Sequence, residues 1–167
     1  MPRKERPREF YHTKPDMAQD LLCMLDLPKI DSILDAGSGD LVWYNALKAQ
    51  GYANIHECDI ERGQDFYAHT PEYDDYDWIV GNPPFHESWK FFEHASRLVN
   101  KGIAFLINNQ ALNSWTPKRL ALFAERGLFL RHIRVVIDKR WFGRYYFMVF
   151  VKESDPGFIS WETEQYI

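Results

Sequence analysis

The sequence has few of the residues that build disulfide or metal sites. Its 167 residues include two cysteines, Cys23 and Cys58, and six scattered histidines that form no HxxxH or HxH pair. The two cysteines lack ligand spacing and lie among apolar residues, so both are expected to be reduced packing residues. No metal site is expected.

Long hydrophobic runs are also missing. No segment approaches the length of a membrane span, and the basic residues at the start of the chain lead into no apolar signal-peptide core. We therefore expect a cytoplasmic protein with no membrane partner. A content of 46% hydrophobic and 26% charged residues is that of a soluble globular protein, and 167 residues suit one domain.

Charge is unevenly distributed along the chain. The net charge is −4, yet residues 118–144 contain eight Lys/Arg and two acidic residues, and residues 1–14 contain five Lys/Arg and two acidic residues. This asymmetry is typical of a protein that meets a polyanion on one side, although solvated helix faces would give the same pattern. Residues 1–9 are expected to form a flexible basic arm.

Apolar strands alternate with amphipathic helices along most of the sequence. Strands are predicted at 32–36, 54–58, 77–81 and 103–107, helices near 15–27, 41–50, 87–100 and 117–126, and a hairpin at 131–138 and 145–152. Thr13 is the expected N-cap of the first helix. This order predicts an open, mostly parallel α/β sheet, in which ligands bind beyond the carboxyl ends of the strands.

A glycine-rich turn follows the first strand. Gly37 and Gly39 would let the backbone approach a ligand closely, while the carboxylate of Asp35 would repel phosphates and favour a cationic aminoacyl group. About twenty residues further on, Asp59 is placed to bind ribose hydroxyls and Ile60 to lie against an adenine ring. The alternative for Asp59 is a purely structural role, in which an aspartate at the end of a strand caps the following turn.

Residues 82–85, Asn-Pro-Pro-Phe, follow a third strand. The prolines hold the backbone extended and lack N–H groups, which leaves carbonyl acceptors beside the Asn82 side chain. Such acceptors can bind the two N–H groups of adenine's exocyclic amine and localise its lone pair, while Phe85 offers a face for a flipped base. The alternative is a proline-stiffened loop with Phe85 in the core.

Taken together, these residues resemble a known family. The sequence Asp35-Ala36-Gly37-Ser38-Gly39, then Asp59, Asp65-Phe66 and Asn82-Pro83-Pro84-Phe85, is similar to S-adenosylmethionine-dependent amino-methyltransferases, chiefly small phage-type or restriction-associated N6-adenine enzymes. Phe10-Tyr11-His12-Thr13 resembles their N-terminal cofactor segment. The resemblance implies a Rossmann-like class I methyltransferase fold: a mostly parallel seven-stranded sheet with an antiparallel last strand and helices on both faces.

The resemblance also implies roles for individual residues. Asn82, Pro83, Pro84 and Phe85 would be catalytic. The cofactor, S-adenosylmethionine, would be bound by Tyr11, Thr13, Asp35, Gly37, Gly39, Asp59, Ile60, Asp65, Phe66 and Asn82. The implied activity is methylation of the N6 amine of adenine in DNA, with the target base flipped out of its stack.

This chain departs from the larger DNA enzymes because residues 10–167 leave no room for a separate target-recognition domain. Sequence selection would come from loops or from a partner subunit, and the candidates for nucleic-acid contact are Trp115, Arg140, Trp141 and Arg144. Their alternative role is that of ordinary rim aromatics and solubilising charge. Methylation of structured RNA, methylation of a protein glutamine, and an inactive nucleic-acid-binding module remain open as functions.

Overall fold

The computed structural model describes residues 12–141 and 143–153, together with the backbone of residues 160–166. Seven strands form one sheet in the order β2-β1-β3-β4-β6-β5-β7. They are β1 (Ile33–Ala36), β2 (Ile55–Cys58), β3 (Tyr76–Gly81), β4 (Val99–Asn108), β5 (Leu128–Asp138), β6 (Tyr145–Lys152) and β7 (Ser160–Tyr166). The helices are α1 (Pro15–Leu25), α2 (Val42–Ala49), α3 (Ser88–Leu98), α4 (Asn109–Asn113) and α5 (Pro117–Glu125).

The sheet has the predicted mostly parallel topology. Strand β6 runs antiparallel to both β4 and β5, and the other neighbouring pairs are parallel. The chain moves outward from β1 to β2 and then returns to β3 on the other side of β1. This reversal is a topological switch point, where open α/β sheets bind ligands. The sheet has the seven strands that the resemblance implies, but the antiparallel strand is β6 and not, as expected, the last strand. The last strand, β7, pairs parallel with β5, and no sequence pattern predicted it.

Helices cover both faces of the sheet, as expected. On one face α3 buries Phe91, Phe92, Ala95 and Leu98, whose spacing of three or four residues places them on one side of a helix. On the other face α1 buries Met17, Ala18, Leu21 and Leu22 in the same way. Each face of the sheet thus has its own apolar cluster. The helices pack on the two faces, and the ends of the strands remain at the edges of the sheet.

Three local predictions are tested by the described residues. Thr13 is not the N-cap of α1: Lys14 takes that position, without a side-chain capping bond, and Thr13 is buried nearby. Cys58 is buried, but Cys23 is exposed on α1, so the packing role predicted for Cys23 is wrong.

Residues 1–9 and Tyr11 lie outside the described residues. In the part of the chain that is described, no helix is long and apolar enough to cross a membrane.

Candidate active site

The glycine turn after β1 has an unusual backbone. Gly37 and Gly39 have φ values of 71° and 46°, in the left-handed region that glycine adopts without strain. Leu41, two residues later, also has a positive φ of 62°. Such a conformation costs a non-glycine residue free energy, and strain of this kind clusters at functional sites.

Asp35 is a completely buried carboxylate beneath this turn. Its Oδ2 accepts a hydrogen bond from the backbone N–H of Tyr44 at 3.0 Å, while Oδ1 has no hydrogen-bond partner among the described residues. Burial raises the pKa of Asp35 to about 7. Gly81 lies alongside, and a Cβ there would come within 2.9 Å of the Ala36 carbonyl and 3.2 Å of Asp35 Oδ1. The site thus presents a buried acceptor that suits a cationic ligand.

The turn after β2 is joined to the glycine turn. Asp59 Oδ2 accepts from the backbone N–H of Gly39 at 2.8 Å, and Oδ1 accepts from Glu61 N–H at 2.8 Å. The backbone N–H groups of Gly37 and Ser38 both donate to the Cys58 carbonyl. The structure therefore brings the predicted cofactor residues of β1 and β2 together.

A charged bridge that no sequence pattern predicted spans the glycine turn. The Arg62 guanidinium donates to the Gly39 carbonyl at 2.7 Å, to Glu57 Oε2 at 2.6 Å and to the Ser38 hydroxyl. The hydrogen bond from Arg62 lowers the pKa of Glu57. Because Glu57 and Arg62 belong to no spacing motif, only their charges at a strand end could have suggested them.

Three residues predicted to bind the cofactor, Ile60, Asp65 and Phe66, occupy different environments. Asp65 caps a short 3₁₀ helix (Phe66–Ala68) by accepting from the Tyr67 N–H at 3.0 Å. The Phe66 ring is only 3% exposed and stacks on Phe91 with ring centroids 4.9 Å apart. Ile60, by contrast, is 72% exposed beside Asp59. The side chain of Ile60 is therefore accessible to a ligand, whereas that of Phe66 packs in the core.

Asn82 lies directly after β3, at the switch point. Its side-chain Nδ2 donates to the hydroxyl of buried Thr13 at 3.2 Å. The preceding residue, His12, pairs with Asp40 of the glycine turn, with Nδ1 and Oδ2 2.6 Å apart. The short segment before α1 therefore contacts both the glycine turn and residue 82.

The rest of the Asn-Pro-Pro-Phe turn leads to an aromatic row. Pro83 is buried, Pro84 is exposed, and Phe85 is partly buried. The Phe85 ring lies 5.6 Å from that of Tyr145, the first residue of β6, and Tyr145 lies 4.5 Å from Trp141, both measured between centroids. This aromatic row, Phe85–Tyr145–Trp141, joins the turn to the β5–β6 hairpin.

Comparison with known proteins identifies the fold. No protein-family model and no curated protein matches the sequence. Solved structures do match: a candidate class I S-adenosylmethionine-dependent methyltransferase from Listeria monocytogenes has a TM-score of 0.64 at 15% identity, and covers 90% of this chain. The chain has the class I methyltransferase fold. It spans 63% of the length of that Listeria structure.

Two further structures share this methyltransferase fold. The 23S rRNA methyltransferase ErmE has a TM-score of 0.62 at 13% identity, with 86% of this chain and 70% of that chain covered. Magnesium protoporphyrin IX methyltransferase from Synechocystis, solved with bound S-adenosylmethionine, has a TM-score of 0.59 at 14% identity, with 83% and 77% covered. At such identities the similarity shows the fold alone.

The β5–β6 hairpin, which meets the Asn-Pro-Pro-Phe turn at Phe85, contains three of the predicted nucleic-acid contacts. Arg140 is held by buried Asp138, whose carboxylate accepts from its Nε at 3.0 Å and its Nη2 at 2.5 Å. Burial raises the pKa of Asp138, but the hydrogen bonds from Arg140 outweigh it and lower the pKa overall. Trp141 belongs to the aromatic row, and Arg144 is exposed.

Trp115, the fourth predicted nucleic-acid contact, occupies another part of the molecule. Its ring stacks on Phe150 with centroids 4.8 Å apart and meets the edges of Trp89, Phe92 and Phe123. These contacts belong to the core cluster beneath α3 and α5. We therefore interpret Trp115 as a packing residue and leave it out of the candidate nucleic-acid surface.

Proposed function

We propose that this protein transfers the methyl group of S-adenosylmethionine to the N6 amine of adenine in DNA. The observation that carries the proposal is the position of Asn82. Its side chain lies at the carboxyl end of β3 and is hydrogen-bonded to the Thr13 hydroxyl. Two prolines follow Asn82 in the sequence and lead to Phe85, the first ring of the aromatic row. Asn82 thus occupies the switch point, where a ligand is expected, next to the buried carboxylate of Asp35.

The residues around the glycine turn fit the proposed cofactor. Asp35 offers a buried oxygen for the cationic amino group of its methionine part, and Asp59 offers carboxylate oxygens for ribose hydroxyls. Ile60 offers an exposed apolar side chain for the adenine ring. When bound, S-adenosylmethionine supplies an electrophilic methyl group on a sulfonium.

The proposed roles of the chain's own residues are mainly those of positioning. The Asn82 side-chain oxygen and the Pro83 carbonyl would accept the two N–H bonds of the target amine and localise its lone pair. Phe85, backed by Tyr145, would stack on the base and hold the amine in line. Such an arrangement would lower the barrier by fixing geometry. The carbon–sulfur bond breaks as the carbon–nitrogen bond forms, and the thioether S-adenosylhomocysteine leaves. The cationic methylated amine is acidic enough to release its proton to water without a strong base.

The nucleic acid would approach over the hairpin. Trp141 is the last ring of the aromatic row, and Lys139 and Arg144 are exposed cations on either side of it in the sequence. Structured RNA is the second candidate substrate, because a 23S rRNA methyltransferase shares the fold and the turn reads only the base. Target recognition would come from the hairpin or from a partner subunit.

The experiment is a methyl-transfer assay with labelled S-adenosylmethionine and equal amounts of duplex DNA, single-stranded DNA and total RNA. Asn82→Ala is the test variant, and Asn54→Ala, an exposed asparagine before β2, is the matched control. We expect N6-methyldeoxyadenosine from DNA, detected by nucleoside mass spectrometry, with wild type and Asn54→Ala. Asn82→Ala should lose at least about 100-fold in rate, the cost of one preorganised hydrogen-bonding group, with cofactor binding retained.

Other outcomes would change the proposal. Labelled methyl groups in RNA alone would show that the substrate is RNA and not DNA. Bound cofactor without label in either nucleic acid would contradict the nucleic-acid substrate and favour a protein glutamine or an inactive binding module. No cofactor binding by calorimetry, or full activity of Asn82→Ala, would refute the proposed reaction.

A further inference from the structure

We infer that Thr13 is a positioning residue that restrains the Asn82 side-chain amide at the end of β3. The inference rests on the proposed function, and it assigns Thr13 a role beyond the cofactor contact that the sequence predicts. The two residues lie 69 positions apart in the sequence, and the fold brings Asn82 Nδ2 to within 3.2 Å of Thr13 Oγ1.

The chemistry of the amide explains why orientation matters. An asparagine side chain presents a carbonyl oxygen, which only accepts hydrogen bonds, and an NH₂ group, which only donates them. The target amine has N–H bonds to give, so the proposed reaction needs the Asn82 oxygen facing the base. In the structure Nδ2 donates to Thr13, so Oδ1 is turned away from it. A hydroxyl can pair with either end of an amide, so Thr13 restrains the amide and the N–H groups of the target amine select its oxygen. A rotated amide would present NH₂ to the amine, and the two donors could not pair.

Thr13 is itself held in place from both sides of the chain. It is 7% exposed, and α1 begins two residues later at Pro15, whose ring fixes the backbone. Met17 and Ala18 in the first turn of α1 are fully buried, and His12 on the other side of Thr13 pairs with Asp40. The hydroxyl is thus presented by a rigid element, which is what a supporting residue requires.

The kinetic test separates this role from cofactor binding. Thr13→Val keeps the volume of the side chain but removes the hydroxyl. We expect the single-turnover methyl-transfer rate at saturating cofactor to fall about tenfold, as for one lost hydrogen bond, with the Kd for S-adenosylmethionine unchanged. Thr13→Ser, which keeps the hydroxyl, should recover most of the rate. In an Asn82→Ala background, Thr13→Val should have no further effect on the rate.

Ser32→Ala is the matched control for loss of a hydroxyl. Ser32 precedes β1, and its hydroxyl accepts from the Asp77 N–H at 2.9 Å at the amino ends of the strands, away from the site. It should lower the midpoint of thermal unfolding without changing the transfer rate. An equal loss of rate in Ser32→Ala and Thr13→Val would overturn the inference, because general destabilisation would then explain both.

A second measurement does not depend on activity. The side-chain amide signal of Asn82 in a ¹⁵N-labelled sample can be identified by its disappearance in Asn82→Ala. We expect it to shift, and its NH₂ protons to exchange faster, in Thr13→Val but not in Thr13→Ser or Ser32→Ala. If wild type methylates no acceptor, the proposed function fails while this measurement still tests the pair.

Two results would refute the positioning role. One is an Asn82 amide signal that does not change in Thr13→Val. The other is a raised Kd for S-adenosylmethionine in Thr13→Val with an unchanged rate at saturation, which would make Thr13 a cofactor-binding residue only.

Discussion

The backbone N–H of Gly39 donates to the carboxylate of Asp59 at 2.8 Å. This bond joins the turn after β1 to the turn after β2, twenty residues later in the sequence. One carboxylate therefore stabilises the backbone of the glycine turn, and under the proposed function it would also accept from the ribose hydroxyls of the cofactor. The two contributions predict how substitutions of Asp59 behave.

Replacing Asp59 by Ala should weaken S-adenosylmethionine binding by roughly 10-fold or more, because a charge-assisted acceptor for the ribose is lost together with the bond to Gly39. Asp59→Asn keeps one acceptor oxygen and should be intermediate. Isothermal titration calorimetry measures both variants. Equal affinities for wild type and Asp59→Ala would show that the cofactor does not contact this residue.

Cofactor affinity should depend on pH through Asp35. Burial raises its pKa to about 7, so the carboxyl group is partly protonated at neutral pH, while a cationic ligand favours the ionised form. Binding should therefore weaken as pH falls from 8 towards 6 and should release protons. Calorimetry in buffers of different ionisation enthalpy counts the protons, and Asp35→Asn should abolish the release.

The same carboxyl group should affect stability in the opposite direction to most aspartates. Its pKa in the folded protein lies above the ordinary value, so its contribution is fully favourable below about pH 4 and is lost as pH rises through about 7. Above pH 7 the buried charge costs up to about 4 kcal/mol. Asp35→Asn should therefore gain stability relative to wild type as pH rises, measured by urea unfolding. A difference in unfolding free energy between Asp35→Asn and wild type that stays constant with pH would contradict the raised pKa of Asp35.

The two tryptophans predicted to contact nucleic acid should behave differently on substitution. Trp141→Leu removes a ring from the aromatic row and should weaken binding of an adenine-containing oligonucleotide roughly 10-fold, with a small effect on unfolding. Trp115→Leu opens a cavity among four aromatic rings and should cost about 3 kcal/mol of stability. Fluorescence anisotropy and urea unfolding separate the effects. The reverse pattern would restore Trp115 to the nucleic-acid surface.

Leu41 offers a test of backbone strain in the glycine turn. Its φ of 62° costs a leucine about 1 kcal/mol, a cost that glycine does not pay. Leu41→Gly should therefore be neutral or slightly stabilising in urea unfolding. Val42→Gly, at the first residue of α2, is the control and should destabilise by about 1 kcal/mol. Similar losses for both variants would show that Leu41 is not strained.

Much of the fold followed from patterns within single segments. The buried runs at β1 and β3, the apolar stripe of α3 and the turns at Gly37 and residues 82–85 are local signals, because side-chain periodicity and proline or glycine geometry act over a few residues. They predicted the alternating order, the mostly parallel sheet and the edge at which the predicted site residues meet. Strand β7 was missed, and the predicted cap at Thr13 was wrong.

What only the tertiary structure decided is which distant groups meet. The amide of Asn82 donates to Thr13, and Arg62 bridges Glu57 and Gly39. Trp141 and Trp115 pack against two different core clusters. No local pattern encodes these contacts, because they depend on strand order across the sheet and on which face each helix covers. The sequence by itself determined the strand ends and their chemical groups. The orientation of those groups towards one another was determined by packing.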